Sequence, residues 1–181
     1  MAEQDVFYFD RIKSPIGDVV IVAGREGAMR ILYFDDSDDR WRHEFERRHA
    51  GGKLVAKRDP SGHSTNLRAY FGGDMEALDR IPVDFDGTPF QNKVWKALCK
   101  IPVGRTTSYG ALAKKIGEPQ AVRAVGLANG SNPISLVVPC HRVIGSDGSL
   151  TGYGGGLPRK KWLLEHEARH CGAQFELEAS T

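Results

Sequence analysis

The chain has 181 residues, 27% of them charged and 40% hydrophobic, with a formal net charge of +2. That length suits one ordinary domain or two small ones with a real core. No apolar run approaches a membrane span, and the start, Met1-Ala2-Glu3-Gln4-Asp5, lacks the basic and apolar regions of a signal peptide. Residues 5–12 and 18–24, around Ser14-Pro15-Ile16-Gly17, predict two strands of a hairpin, and residues 28–34 a third strand. Asp38 is placed to cap a helix over 39–49, with Trp41, Phe45 and Arg48 on one face. Lys53 to Lys57 predicts a short strand. Ser61 or Ser64 then caps a helix through Leu67, Tyr70 and Phe71 that stops at Gly72-Gly73. Residues 74–88 read as an irregular linker with an extended piece from Ile81 to Phe85. His43, His49 and His63 read as surface histidines, and nothing in this half carries chemistry by residue type.

The second half differs in charge. Residues 1–88 hold 13 Lys/Arg against 17 Asp/Glu, a net of −4, while residues 89–170 hold 12 against 4, a net of +8. A basic module of this size points to a polyanion, most simply nucleic acid. Thr88 with Gln91 forms a capping box, and Pro89 fits the first turn of a helix carrying Val94, Trp95, Leu98 and Ile101. Thr106, Thr107 or Ser108 caps a second helix with Leu112, Ala113 and Ile116 inward and Gly117 at its end. Pro119 opens a third, Gln120 to Ala128, ending at Asn129-Gly130. The pair resembles a helix-turn-helix. Its small residues Ala121, Ala124, Gly126 and Ala128 allow close approach to another helix or to a DNA groove. Ile134 to Val138 reads as a strand, Ser146-Asp147-Gly148 as the turn of a wing-like hairpin, and Gly152 to Gly156 as a loop with close backbone approach. Pro158 opens a last helix, with a frayed tail from Cys171.

Chemistry concentrates at Pro139-Cys140-His141-Arg142-Val143. A cysteine is nucleophilic as its thiolate, which a base, a cation or a helix start can generate. Adjacent residues diverge on a helix and point to opposite faces on a strand, so a turn or a bridging water must link Cys140 to His141. The three cysteines, Cys99, Cys140 and Cys171, are odd in number and widely spaced without CxxC, which argues against a disulfide framework and for a reducing cytosol. His166-Glu167-Ala168-Arg169-His170 matches HExxH, but no His or Asp follows to supply a third zinc ligand. The glycine run is no phosphate loop, because no Gly-Lys-Ser/Thr follows it. A nucleophilic Cys on a basic helix-turn-helix suggests covalent chemistry on a base flipped from the duplex. Arg123 and the glycine loop are placed to supply the plug and the pocket that flipping requires.

These residues resemble the O6-alkylguanine-DNA alkyltransferases, also called methylated-DNA–protein-cysteine methyltransferases. Pro139-Cys140-His141-Arg142-Val143 is similar to their active-site signature. The likeness runs through Pro89-Phe90-Gln91, Val94-Trp95, Ile101-Pro102-Val103-Gly104, Ser108-Tyr109-Gly110, Arg123-Ala124-Val125-Gly126, Ala128-Asn129-Gly130, Asn132-Pro133-Ile134 and Thr151-Gly152-Tyr153. It implies an α+β fold. An N-terminal domain, residues 1–87, would be a small antiparallel sheet with helices, RNase H-like and supporting. Residues 88–170 would form a helical winged helix-turn-helix domain for DNA binding and alkyl transfer, and 171–181 a flexible tail.

The resemblance also implies roles. Cys140 would accept the alkyl group from guanine O6 by in-line displacement, in one irreversible turnover. His141 would act through a water as its base, oriented by Glu167. Tyr109 would protonate guanine N3, and Asn132 would brace the cysteine turn. Arg123 would fill the hole left by the flipped nucleotide, on a recognition helix in the minor groove. Ala124, Gly126, Ala128, Gly130 and Ser131 would join it on DNA, with Thr107, Ser108 and Arg142. The base would lie against Tyr109, Val143, Tyr153, Gly154 and Gly155. Ser131 stands where many relatives carry a larger, often basic residue, which implies one phosphate contact fewer. Gly154 stands where some carry Ser or Ala. No cofactor and no metal are implied, and the expected partner is double-stranded DNA bearing O6-alkylguanine or O4-alkylthymine. The chain is expected to be a cytoplasmic monomer without a membrane partner, with cooperativity on DNA left open. A non-catalytic lesion sensor and a winged-helix regulator are the alternatives. Relatives of the sensor kind lack the acceptor cysteine.

Overall fold

The structure is a computed structural model that describes residues 4–172. The chain divides into two compact units, Met1–Asp86 and Gly87–Thr181.

The first unit is built on a four-stranded sheet of order β3-β2-β1-β4, formed by β1 (Val6–Ile12), β2 (Val19–Gly24), β3 (Met29–Phe34) and β4 (Lys53–Ala56). β2 reads Val-Val-Ile-Val-Ala-Gly and is buried at every position, because it is interior and both its faces are covered. On one face Phe7, Val20, Val22 and Ile31 pack with Trp41 and Phe45 of α1 (Arg40–Arg48). On the other, Asp10 of β1 accepts a hydrogen bond from Ser64 Oγ of α2 (His63–Phe71) at 2.7 Å. The sheet is mixed rather than wholly antiparallel: β4 runs parallel to β1, Val6 opposite Lys53. The connection from β3 contains α1, and a helical crossover is what returns a strand in the parallel sense.

Local chemistry adjusts the other expectations here. Asp39 rather than Asp38 takes the N-cap position of α1, while Asp38 Oδ1 accepts the Arg40 N–H at 3.2 Å. No serine caps α2. Asp59 instead accepts from the Thr65 N–H at 3.0 Å and the Thr65 hydroxyl at 2.6 Å. The 74–88 stretch contains a short 3₁₀ turn, Ala77–Arg80, and a parallel bridge from Val83 to Met29. His63 is not a surface residue: it is buried, with Nε2 2.7 Å from the Gly27 carbonyl oxygen.

The second unit carries α3 (Pro89–Leu98), α4 (Tyr109–Lys115), α5 (Val122–Gly130) and α6 (Leu157–Cys171). The capping box at α3 forms in full: Thr88 Oγ1 accepts the Gln91 N–H at 3.2 Å, and Gln91 Oε1 accepts the Thr88 N–H at 2.9 Å. Ser108 caps α4 by accepting the Ala111 N–H at 3.1 Å. Gly117, at φ +78°, turns the chain toward α5, as the helix-turn-helix reading requires. Trp95 Nε1 donates to the Ala128 carbonyl at 2.9 Å and fixes α3 against α5. α6 includes Cys171, while residues 173–181 of the predicted tail lie outside the described residues.

Two predicted strands are absent. Residues 135–137 form a turn, with Leu136 at φ +72°, because local partners take the backbone groups on either side. Asn132 Oδ1 accepts the Ile134 N–H at 2.9 Å, and Asn132 Nδ2 donates to the Val138 carbonyl at 2.8 Å. The hairpin over 146–151 is only a turn, closed by Gly145 N–H to Ser149 O at 2.8 Å. What pairs is β5 (Thr107–Ser108) with β6 (Val143–Ile144), in parallel. No helix among the described residues is long and apolar enough to cross a membrane.

Candidate active site

Cys140 opens a 3₁₀ turn, Cys140–Arg142, rather than ending a strand. The turn is held from outside and within. Cys140 N–H donates to Val138 O at 2.8 Å, on the carbonyl that Asn132 also engages, and Asn129 Nδ2 reaches the Cys140 carbonyl at 3.5 Å. Cys140 is 4% exposed. Burial pushes its pKa up, against the Asn132 amide, the Lys160 charge and the backbone N–H groups of Cys140 and His141, which favour the thiolate. The resting sulfur is therefore a protonated thiol, shielded and in need of a base.

His141 follows Cys140 directly in the chain. Its ring is fully buried, with Nε2 2.8 Å from Glu167 Oε1. With the Nε2–H donated to a carboxylate, Nδ1 is the basic nitrogen, and it has no hydrogen-bond partner among the described residues. Burial holds the imidazole pKa below 6.5, more strongly than Glu167 raises it. Glu167 stays ionised in spite of its burial, which opposes charge, because His141 and Arg142 more than offset it and hold its pKa well below the carboxylate range. Arg142 grips both oxygens, Nη2 to Oε1 at 2.9 Å and Nε to Oε2 at 2.9 Å, and its Nη1 donates to the Ile101 carbonyl at 2.7 Å. The Gly104 N–H adds a longer bond to Oε2 at 3.3 Å.

Around the sulfur, Tyr109 opens α4 and donates from its hydroxyl to the Thr151 carbonyl at 2.9 Å. Its phenol pKa is raised, first by burial and further by charge on Cys140, against hydrogen bonds to Thr151 and Asn129. Tyr153 is held far above its ordinary value by burial, and its ring lies 6.5 Å edge-on from His141. The Thr151–Gly156 loop is tied down at its carbonyls. Arg159 donates to Gly155 at 3.1 Å, and the Gly156 N–H closes on Tyr153 O at 2.9 Å. Gly152 at φ +58° and Gly156 at φ +91° supply the left-handed bends.

Lys160 belongs to the site as well, although no motif in the sequence points to it. Its side chain is fully buried, and Nζ donates to the carbonyls of Val143 (2.5 Å), Thr151 (2.9 Å) and Gly152 (3.1 Å). One lysine thus pins β6, the glycine loop and the surroundings of Cys140 together. Burial lowers its pKa to about 8, against the pull of Cys140. A signal was present: Lys160, Leu163, Leu164 and Glu167 follow i, i+3, i+4, i+7 on one helical face, so both charged ends lie on the buried stripe. The HExxH letters dissolve for the same reason. Glu167 faces His141 and Arg142, and His170 Nδ1 bonds the His166 carbonyl one turn back at 2.8 Å.

The expected DNA-facing residues separate. On α5, Arg123, Ala124 and Gly130 are exposed and Gly126 is partly so. Ala128 is 4% exposed and faces inward, so its side chain is not on a DNA surface. Arg142 is 8% exposed with its donors committed to Glu167 and Ile101, so it orients the carboxylate instead of reaching a phosphate. Thr107 and Ser108 are half-buried in β5, and Ser131 Oγ is engaged with Ala128 O at 3.0 Å and Gln91 Nε2 at 3.1 Å. The Val143 N–H is spent on Cys140 O, which leaves only its carbonyl, already shared with Lys160, for a bound base.

The model of the 6-O-methylguanine DNA methyltransferase DNA-binding domain matches residues 89–169. A methylated-DNA–protein-cysteine methyltransferase of Shigella flexneri is 44% identical over 160 residues, 87% of this chain and 94% of the relative. One from Mycolicibacterium paratuberculosis is 48% identical over 92% of this chain and 95% of its own length. Among solved structures, Mycobacterium tuberculosis OGT in complex with DNA superposes with a TM-score of 0.77 at 42% identity, covering 90% of this chain and 94% of that one. The O6-methylguanine-DNA methyltransferase of Pyrococcus kodakaraensis gives 0.67 at 28% identity, covering 89% of this chain and 98% of that one. With the cysteine turn, its buried His–Glu–Arg relay and these relatives along nearly its whole length, the chain belongs to the methylated-DNA–protein-cysteine methyltransferase family.

Proposed function

We propose that the protein repairs alkylated DNA by turning O6-alkylguanine, and also O4-alkylthymine, out of the duplex and moving the alkyl group once onto Cys140. The thiol proton passes through a water to Nδ1 of His141. The sulfur lone pair attacks the alkyl carbon opposite O6, the S–C bond forms as the C–O6 bond breaks, and the electron pair returns to the purine. N3 takes the proton of the Tyr109 hydroxyl. The imidazolium then returns its proton through solvent to the phenolate, leaving neutral guanine and a thioether. Glu167, kept ionised by Arg142, stabilises the imidazolium while it lasts.

The observation that carries this reading is the buried Cys140–His141–Glu167–Arg142 arrangement beside a loop rigidified by Lys160. A thioether is not reversed by the exchange chemistry that restores oxidised thiols, so each molecule reacts once. Sulfur is itself the acceptor, and no cofactor enters. Residues 88–170 bind DNA and carry out the transfer, as a monomer in the cytoplasm, and residues 1–87 support them. The test is stoichiometry: a duplex carrying one labelled O6-methyl group should give up a single equivalent of label to protein and then stop. Continued turnover would make the protein a conventional enzyme and end this reading.

A further inference from the structure

Several cations of the first unit are matched to acids. Arg30 pairs with Glu26 and Asp84, Arg40 with Asp36 and Asp38, Arg48 with Glu44 and Asp86, and Arg80 with Asp74. The end of the β1–β4 pair departs from this. There a depression of about 500 Å³ is bordered by Arg11, Lys57, Arg58 and Arg68, with Asp10 as the carboxylate among them. Asp10 is spent on neutral donors: Oδ1 accepts the Arg11 N–H at 2.9 Å, and Oδ2 accepts the Asp59 N–H at 2.9 Å and the Ser64 hydroxyl at 2.7 Å. Asp59 is likewise taken by the Thr65 N–H and hydroxyl. Arg11 reaches Asp35 at 2.8 Å, and Lys57 Nζ lies 4.4 Å from the centre of the Tyr8 ring. Arg58 and Arg68 are exposed, and their guanidinium groups make no hydrogen bond or ion pair among the described residues. A cluster of like charges costs stability by repulsion, so an external anion is its simplest counterpart.

We infer that this depression is a DNA contact belonging to the first unit, in which Arg58, Arg68 and the Ala56 N–H bind backbone phosphates that the reacting centre does not use. This rests on the function proposed above, which brings the protein onto duplex DNA. A guanidinium presents paired N–H donors that match phosphate oxygens. The backbone adds a donor, because β4 is an edge of the sheet. The N–H groups of Lys53 and Lys57 donate to Asp5 and Phe9 of β1, so by the alternation of a strand the Ala56 N–H points to the open side. Ala56 is exposed and borders the same depression. All four cations are exposed too, which suits a backbone running across the surface rather than a small molecule enclosed in it. The rings nearby are engaged, Phe9 against Trp41 at 5.7 Å and Tyr8 under Lys57. The site therefore holds phosphate and does not stack a base, which makes it indifferent to sequence.

The test uses the whole protein, a long lesion-free duplex, and free O6-benzylguanine, which offers Cys140 an alkyl–O6 bond without DNA. In Arg58→Gln/Arg68→Gln the slope of log affinity for the duplex against log salt should fall by roughly two, since each phosphate contact contributes about 0.9. Transfer from free O6-benzylguanine should keep the wild-type rate, because the reacting centre is untouched. Arg58→Lys/Arg68→Lys should keep most of the slope, because the charge remains. In wild type, the duplex should slow amide hydrogen exchange at Ala56. An unchanged slope in the glutamine variant, or a matching loss of rate on O6-benzylguanine, overturns the inference. So does protection of Ala56 by polyglutamate and not by duplex, which would make the depression a site for an acidic peptide. A wild-type protein that reacts with neither lesion-bearing duplex nor O6-benzylguanine overturns instead the function on which the inference rests.

Discussion

Glu167 accepts hydrogen bonds on both oxygens, from His141, Arg142 and Gly104. Replacing it with Gln leaves a buried guanidinium without its countercharge, which costs about 3–5 kcal/mol. Urea denaturation of Glu167→Gln should show that loss together with slowed transfer. The pair's contribution to stability has a definite pH window. A carboxylate whose folded pKa is depressed contributes fully above its ordinary value of 4.5, and the contribution drains away as pH falls from there toward the lowered value. His141 works in the opposite sense. It is a base only when neutral, and burial moves its titration below the ordinary 6.5, against the pull of Glu167. The transfer rate should therefore fall on acidification with a midpoint below pH 6.5; a midpoint at or above 6.5 would show a different group acting as base. Lys160→Met should free the Gly152 carbonyl, at a cost of about 1–3 kcal/mol if it is left unsatisfied, and leave Thr151 held only from Tyr109. Because the loop lies at the reacting centre, that variant should lose transfer from free O6-benzylguanine as well as from DNA, measured by single-turnover kinetics.

At the scale of elements, the helices were legible wherever capping chemistry is local. Thr88, Pro89 and Gln91 specify the start of α3 within four residues, and all three act as the sequence predicts. Thr88→Ala should destabilise the protein by about 1 kcal/mol in chemical denaturation, with no change in the reacting centre. The strand expected over 134–138 was not legible as a turn. Its apolar run looks like β structure, and only the tertiary position of Asn132 shows that side-chain bonds replace strand pairing. Likewise β4 reads as a strand, but its parallel sense follows from where α1 returns the chain. In the site, the Pro-Cys-His-Arg run pointed to a candidate nucleophile from sequence, and the resemblance supplied the proposed roles of His141 and Glu167. Arg142 was misread because an arginine in a basic module looks like a phosphate ligand until its burial is seen. Lys160 escaped for a different reason: the helical stripe marks its burial, but its partners are three backbone carbonyls, which leave no trace in side-chain patterns.

Across the whole molecule, charge and chemistry fall in the same half of the chain. Residues 89–170 carry a net +8, although Arg142 and Lys160 are buried and cannot meet a phosphate. Affinity for undamaged duplex should fall linearly on a log–log plot against salt, by roughly 0.9 per phosphate neutralised. Titration at several salt concentrations checks this; an affinity indifferent to salt would sever the basic half from DNA. The central claim concerns a single sulfur atom. The most direct test is to mix the intact protein with excess duplex bearing one O6-methylguanine, digest it and weigh the peptides. One methyl group on the peptide containing Cys140, none on those containing Cys99 or Cys171, and none at all in Cys140→Ala is the predicted result. A protein that holds the lesion tightly and leaves Cys140 unmodified would contradict it and make the molecule a sensor of damage.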